Sequence, residues 1–143
     1  MTDRAVSFSF PSSRRLKNQW EFDTVFRAGR TLKGELVRIC YLYRDDGTRV
    51  GVTVGKKIAG AVARARGRRI LRESMRRLLP WLKEGIWLVA SLREKGLDSD
   101  AVSIYYETAG LLEKSGMLSD GWNGADWRVD DPRISREISQ SPQ

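Results

Sequence analysis

The sequence predicts an α/β domain, and three observations carry that prediction. Segments 35–43 (ELVRICYLY) and 49–55 (RVGVTVG) alternate between two faces with the period of a strand. A basic stretch from about Ala61 to Lys83 repeats its leucines at helical spacing. Ile86–Leu92 (IWLVASL) is an apolar run bounded by Gly85 and Arg93, as a buried strand would be. Strand, long helix, strand is the order of a crossover unit, so the strands flanking the helix are expected to pair in parallel.

The elements follow in chain order. Asn18 with Glu21 three residues later reads as a capping box, and it opens a helix that runs to Ala28 and stops at Gly29. Trp20, Phe22, Val25 and Phe26 are its apolar members and do not all fit one stripe. In the first strand Val37, Ile39 and Tyr41 point one way, and Arg38, Cys40 and Leu42 the other. Asp45-Asp46-Gly47-Thr48 is a hairpin signal, which predicts pairing between the first strand and the second. In the second strand Val50, Val52 and Val54 oppose Gly51, Thr53 and Gly55. That small, polar second face leaves room for something to lie on the sheet.

On the long helix Leu71, Met75, Leu78, Leu79 and Leu82 share one arc, with Arg68, Arg69, Arg72 and Arg76 beside it. Arg66 and Arg77 fall on the far side, and Pro80 kinks or ends the helix. Asp98 or Asp100 caps a final helix that reaches about Lys114, with Gly116 after it. The reading is one domain over 14–116, a flexible arm over 1–13 and a disordered tail over 117–143, in which Trp122 and Trp127 have no assigned role.

The charge of +8 is unevenly placed: residues 14–77 hold 18 Lys/Arg against 6 Asp/Glu, and residues 78–143 hold 7 against 11. A local field of that sign favours a polyanion. From Lys56 to Arg77 nine basic residues meet a single acid, Glu73, placed to pair with Arg77 one turn on. A solvated face of paired charges does not fit that ratio. A membrane-surface helix needs a bulky apolar face toward lipid, and here the leucine arc is taken up by the strands. The planar guanidinium fork suits phosphate, so Lys56, Lys57, Arg64, Arg66, Arg68, Arg69 and Arg72 are the candidate RNA contacts. On the sheet, Arg38, Cys40 and Thr53 flanked by Phe22 or Phe26 would suit single-stranded RNA. The residues alone leave Phe22 and Phe26 divided between core and cleft.

With no histidine and one cysteine, the chain lacks histidine catalysis, histidine-bound metal and a structural zinc site. Cys40 reads as a packing residue, and Asp45-Asp46 as a solvated turn rather than a cation site. No phosphate-binding loop or dinucleotide fingerprint is present. No apolar run reaches the roughly 18 residues that span a bilayer, and the N-terminus lacks a signal-peptide layout, so a cytoplasmic protein is expected.

The stretch Arg64-Ala65-Arg66-Gly67-Arg68-Arg69-Ile70-Leu71-Arg72-Glu73 resembles the Arg-Asn-Arg signature helix of the bacterial ribonuclease P protein family. Arg49–Ile58 is similar to that family's strand and Lys-Lys entry, and Arg15–Asn18 with Phe22, Phe26 and Gly29 to its opening helix. The resemblance implies a two-layer α+β sandwich of the ribosomal protein S5 domain 2-like kind, α-β-β-(β)-α-β-α, with a left-handed crossover around the arginine helix. It also implies a protein subunit that binds the catalytic RNA and holds the 5′ leader of precursor tRNA, assisting endonucleolytic removal of the leader. The family catalyst is the RNA with its Mg2+; no cofactor held by protein alone, no catalytic side chain and no obligate protein partner are expected. Phe22, Phe26, Arg38, Cys40 and Thr53 are thereby assigned to the leader cleft. Ala65 and Gly60 stand where the family has asparagine, so those polar contacts do not carry over, and Gly67 replaces a branched apolar residue. A general RNA-binding module without cleavage-stimulating activity is the alternative. A self-contained nuclease using Asp/Glu-bound Mg2+ would need clustered carboxylates that the basic region lacks.

Overall fold

The computed structural model describes residues 10–129. In chain order they form α1 (Gln19–Ala28), β1 (Arg30–Lys33), β2 (Val37–Tyr43), β3 (Arg49–Thr53), α2 (Ala61–Leu78), β4 (Ile86–Leu92) and α3 (Ala101–Lys114). The strands make one sheet in the order β1-β2-β4-β3. β3 and β4 run parallel across the α2 crossover, as expected, with Val50 opposite Leu88 and Thr53 opposite Ser91.

The hairpin expected between β2 and β3 does not form. β4 lies between them, antiparallel to β2 (Cys40 opposite Val89) and parallel to β3. The reason is burial. All of β4 but Ser91 is buried, and a strand apolar on both faces needs a neighbour on each side and a layer above and below. The hairpin partner of β2 is instead β1, a four-residue strand (RTLK) with no alternation to betray it. Thr48 ties the starts of β3 and β4 together: its hydroxyl donates to Lys83 O (2.8 Å) and accepts from Ile86 N (3.2 Å).

One sheet face carries the main core. Val37, Ile39, Val50, Leu88 and Ala90 pack there against Leu71, Met75 and Leu78 of α2 and Ile104, Ala109 and Leu112 of α3. Each of these side chains other than the two alanines contributes roughly 1.5–3 kcal/mol by leaving water. The leucine arc read from the sequence is buried throughout, with Leu79 and Leu82 lying just beyond the end of α2. Pro80 does stop the helix, which ends at Leu78 and closes in a 3-10 turn over Leu79–Trp81.

The second face carries α1 and a smaller core of Leu16, Val25, Cys40, Trp87 and Val89 with Phe22 at its edge. The room at Gly51 is filled by the chain itself: a Cβ there would stand 2.6 Å from Phe22 Cζ. α1 opens as predicted, with Glu21 Oε1 accepting from Asn18 N (2.8 Å) and Lys17 N (2.7 Å). Asp100 caps α3, accepting from Ser103 N at 2.8 Å.

The disorder expected beyond 116 does not hold for residues 117–129. Met117 and Leu118 are buried in the main core, and Leu118 bridges to Leu82. Trp127 stacks on the Arg77 guanidinium at 3.4 Å and edge-on to Tyr105 at 5.6 Å. The indoles supply the apolar area that holds this segment, which a reading of polar composition overlooks. The expected arm over 1–9 and the remaining tail over 130–143 lie outside the described residues.

Candidate nucleic-acid interface

α2 crosses the sheet closely because residue 67 has no side chain. A Cβ at Gly67 would stand 2.7 Å from Leu92 Cδ1 and 2.9 Å from Val54 Cγ2. The glycine that weakens an isolated helix here lets backbone and sheet approach. It fixes the height at which the flanking arginines emerge.

The basic candidates then divide by what they touch. Arg69 and Arg72 are exposed and Arg68 half-buried, and among the described residues none of the three has a carboxylate partner. Lys56 and Lys57 are exposed in the turn that leads to α2. Arg64 reaches back to Ala59 O (2.9 Å), and Arg66 donates to Leu97 O (3.0 Å) and Ser99 O (3.5 Å). These two brace the start of α2 with part of each fork. Further on, Glu73 pairs with Arg76 at 2.6 Å and with Arg77 at 2.5 Å. Arg77 is only 1% exposed, enclosed by Trp127 rather than displayed on a far side.

Strand register organises the second face into rows. Thr31, Cys40, Val89 and Gly51 form one row, and Phe22 of α1 rests on its Gly51 end. Lys33, Arg38, Ser91 and Thr53 form the next row on the same face, all at least partly open to solvent. On α1, Phe26 is 47% exposed and Phe22, which rests on Gly51, is half-buried. Of the cleft candidates, Phe22, Phe26, Arg38 and Thr53 are therefore accessible. Cys40 is not: it is 6% exposed, with its Sγ 3.5 Å from Thr31 Oγ1, and it serves as packing under α1. Lys33 and Ser91 join the row only through strand pairing and carry no local signal in the sequence.

Glu21 anchors the other end of α1. Its side chain is 3% exposed and accepts from Arg49 Nη1 at 3.0 Å. Burial alone would raise its pKa. The Asn18 and Lys17 N–H groups and the Arg49 guanidinium outweigh that and hold it below the ordinary carboxylate range. Among the described residues no three His, Cys, Asp or Glu side chains gather as a metal site, and no helix is long and apolar enough to cross a membrane.

An α/β domain with helices on both faces of its sheet, carrying on one helix arginines that have no carboxylate partner among the described residues and on the sheet a basic row, presents the surface of a polyanion-binding protein. The sequence profile of the Ribonuclease P family matches residues 10–116. The ribonuclease P protein component of Symbiobacterium thermophilum is 34% identical over 106 residues, which is 73% of this chain and 92% of that protein. That of Dictyoglomus thermophilum is 32% identical over 116 residues, covering 79% and 97%. Among solved structures, the RNase P protein of Thermotoga maritima aligns with TM-score 0.62 at 25% identity, covering 70% of this chain and 96% of that one. That of Staphylococcus aureus aligns with TM-score 0.65 at 18% identity, covering 74% and 98%. The chain therefore belongs to the ribonuclease P protein family, and its role is that of the protein subunit in tRNA processing. The family match ends at Gly116, so the packed segment 117–129 lies beyond it.

Proposed function

We propose that α2 docks on the catalytic RNA of ribonuclease P through Arg68, Arg69 and Arg72, with Lys56, Lys57 and the remaining donors of Arg64 and Arg66 alongside. The observation that carries this is that, among the described residues, Arg68, Arg69 and Arg72 have no carboxylate partner, on a helix whose next turn pairs its arginines with Glu73. Cations left unpaired repel one another, and RNA phosphates relieve that cost.

The open row Lys33, Arg38, Ser91 and Thr53 holds the single-stranded 5′ leader of precursor tRNA, with bases stacking on Phe26 and the exposed edge of Phe22. Bond cleavage belongs to the RNA and its bound Mg2+, which is consistent with a chain that has no histidine and a packed cysteine. The protein adds positive charge along both RNAs, so substrate binds more tightly and less Mg2+ is needed to screen the phosphates.

Precursor-tRNA cleavage by the cognate RNA at low Mg2+, with and without the protein, tests this. Strong stimulation that vanishes when the leader is trimmed to about one nucleotide is expected. RNA binding without stimulation would favour a general RNA-binding module, and would point to Ala65 and Gly60, which lack the family's amides.

A further inference from the structure

The flank of α1 that faces away from the open row is also built of aromatics and cations. At about 100° per residue, Trp20 lies about 140° from the buried Val25 on one side and Phe26 about 100° from it on the other. Trp20 is 58% exposed, the most open tryptophan or phenylalanine among the described residues. Its ring is tilted by 55° against Trp87, with centroids 5.9 Å apart. Trp87 is also covered by the guanidinium of Arg44 at 4.3 Å and flanked by that of Arg49 at 5.8 Å. Arg14 closes the same end of β4 through Glu84, at 3.4 Å.

Trp20 packs on Trp87 with one side and leaves more than half of its surface to solvent, beside cations that also gather on Trp87. An open indole beside guanidinium groups is the pairing that takes up a base and its phosphates. The three arginines hold their acids loosely or are bound to a buried one. Arg44 stands 3.8 Å from Asp46 and Arg14 pairs only at the surface, contacts of little net strength that a phosphate can displace. Arg49 is fixed by Glu21 and serves to brace Trp87.

We infer that this flank is a second single-stranded RNA site, in which a base stacks on Trp20 and the adjoining phosphates meet Arg44 and Arg14. It rests on the RNA-binding reading but not on the leader groove, and it would let one helix carry RNA on both sides. Cation–π contacts hold Arg44 in place for the phosphate, and the Trp20–Trp87 pair limits the rotamers of the stacking ring.

The test is an NMR titration of the full chain with hexauridylate, following the five indole N–H signals assigned through single Trp→Phe variants. The Trp20 and Trp87 signals are expected to shift together with one apparent Kd, unchanged in Phe26→Ala, while Trp127 stays still. Trp20→Ala should weaken the site reported by Trp87 about fivefold or more, and Trp20→Phe should restore most of it. Trp20 and Trp87 signals that stay still while Phe26→Ala weakens RNA binding would overturn this second site and leave the leader groove standing. Still signals with binding unaffected by Phe26→Ala would remove both. Concentration-dependent broadening of Trp20 without RNA would make the flank a contact between copies of the chain and overturn the proposal as well.

Discussion

The two halves of α2 are made of the same residue type and have opposite fates. Over Arg64–Arg72 the fold brings backbone carbonyls to Arg64 and Arg66 and, among the described residues, no carboxylate to Arg68, Arg69 or Arg72. Over Glu73–Arg77 one acid takes two arginines, and Trp127 encloses the second. An arginine count cannot separate these halves. What separates them is Glu73, one turn away on the same helix, together with the groups that distant segments bring within reach: the Leu97 and Ser99 carbonyls at Arg66 and Trp127 at Arg77.

Removing Arg77 should break the comparison most severely. Arg77→Ala deletes a buried guanidinium with its ion pair and its stacking on Trp127. A loss on the order of 3 kcal/mol in unfolding free energy is expected. The salt dependence of RNA binding should not change in protein that remains folded. Chemical denaturation and a salt titration on the same variant check both halves of the statement. A flattened salt slope with unchanged stability would place Arg77 at the RNA instead.

The converse change comes next. Arg68→Ala with Arg72→Ala should leave stability within about 1 kcal/mol, since Arg72 is exposed and Arg68 half-buried. RNA affinity should fall by about 2 kcal/mol, at about 1 kcal/mol for each lost contact. The slope of log K against log salt should flatten by roughly 0.7 per lost phosphate contact. An unchanged slope removes both residues from the interface.

Much of this contrast could not be read from the chain. The α1 cap, the buried arc of α2 and the parallel pairing of β3 with β4 were legible because each depends on neighbours a few residues apart or on chain order. The place of β4 between β2 and β3 was not, since the Asp45–Thr48 turn gives a local hairpin signal that loses to burial of both faces of Ile86–Leu92. The site divides the same way. Arg68, Arg69 and Arg72 were legible as an excess of cations over one acid. Lys33 and Ser91 enter their row only through register, and Arg77 is buried by a tryptophan 50 residues further on. Cys40 was assigned to a ligand-facing row, yet α1 covers it.

Gly67 sharpens the comparison from within the unpaired half, because it sets how close α2 sits to the sheet. Helix propensity favours Gly67→Ala by roughly 1 kcal/mol. Crowding of Leu92 Cδ1 and Val54 Cγ2 opposes it, at a cost of about 1–3 kcal/mol for an overpacked core. Crowding should win, with a net loss of about 1 kcal/mol. In a Leu92→Ala background the nearer methyl is absent, so the same substitution should become neutral or favourable. Urea midpoints for the four proteins of that cycle decide it. Equal effects in both backgrounds would mean the helix simply shifts outward.

The smallest effect concerns Glu21, a single acid that holds a single arginine outside α2. Its folded pKa lies below the ordinary value, so it contributes stability above the unfolded pKa, near about 4.3. That contribution fades as pH falls through the folded value. Glu21→Gln keeps an oxygen for the Asn18 and Lys17 N–H groups and loses the charge facing Arg49. The variant should therefore be less stable than the parent by under about 1 kcal/mol at neutral pH, with the gap steady down to about pH 5. Below that the two stability curves should converge, because the parent carboxylate becomes as uncharged as the amide. Curves that stay parallel to pH 3 would show that Glu21 titrates alike in both states. Arg49 would then be held by Trp87 rather than by charge, and pairing with an acid would no longer be the general way this chain withdraws an arginine from RNA.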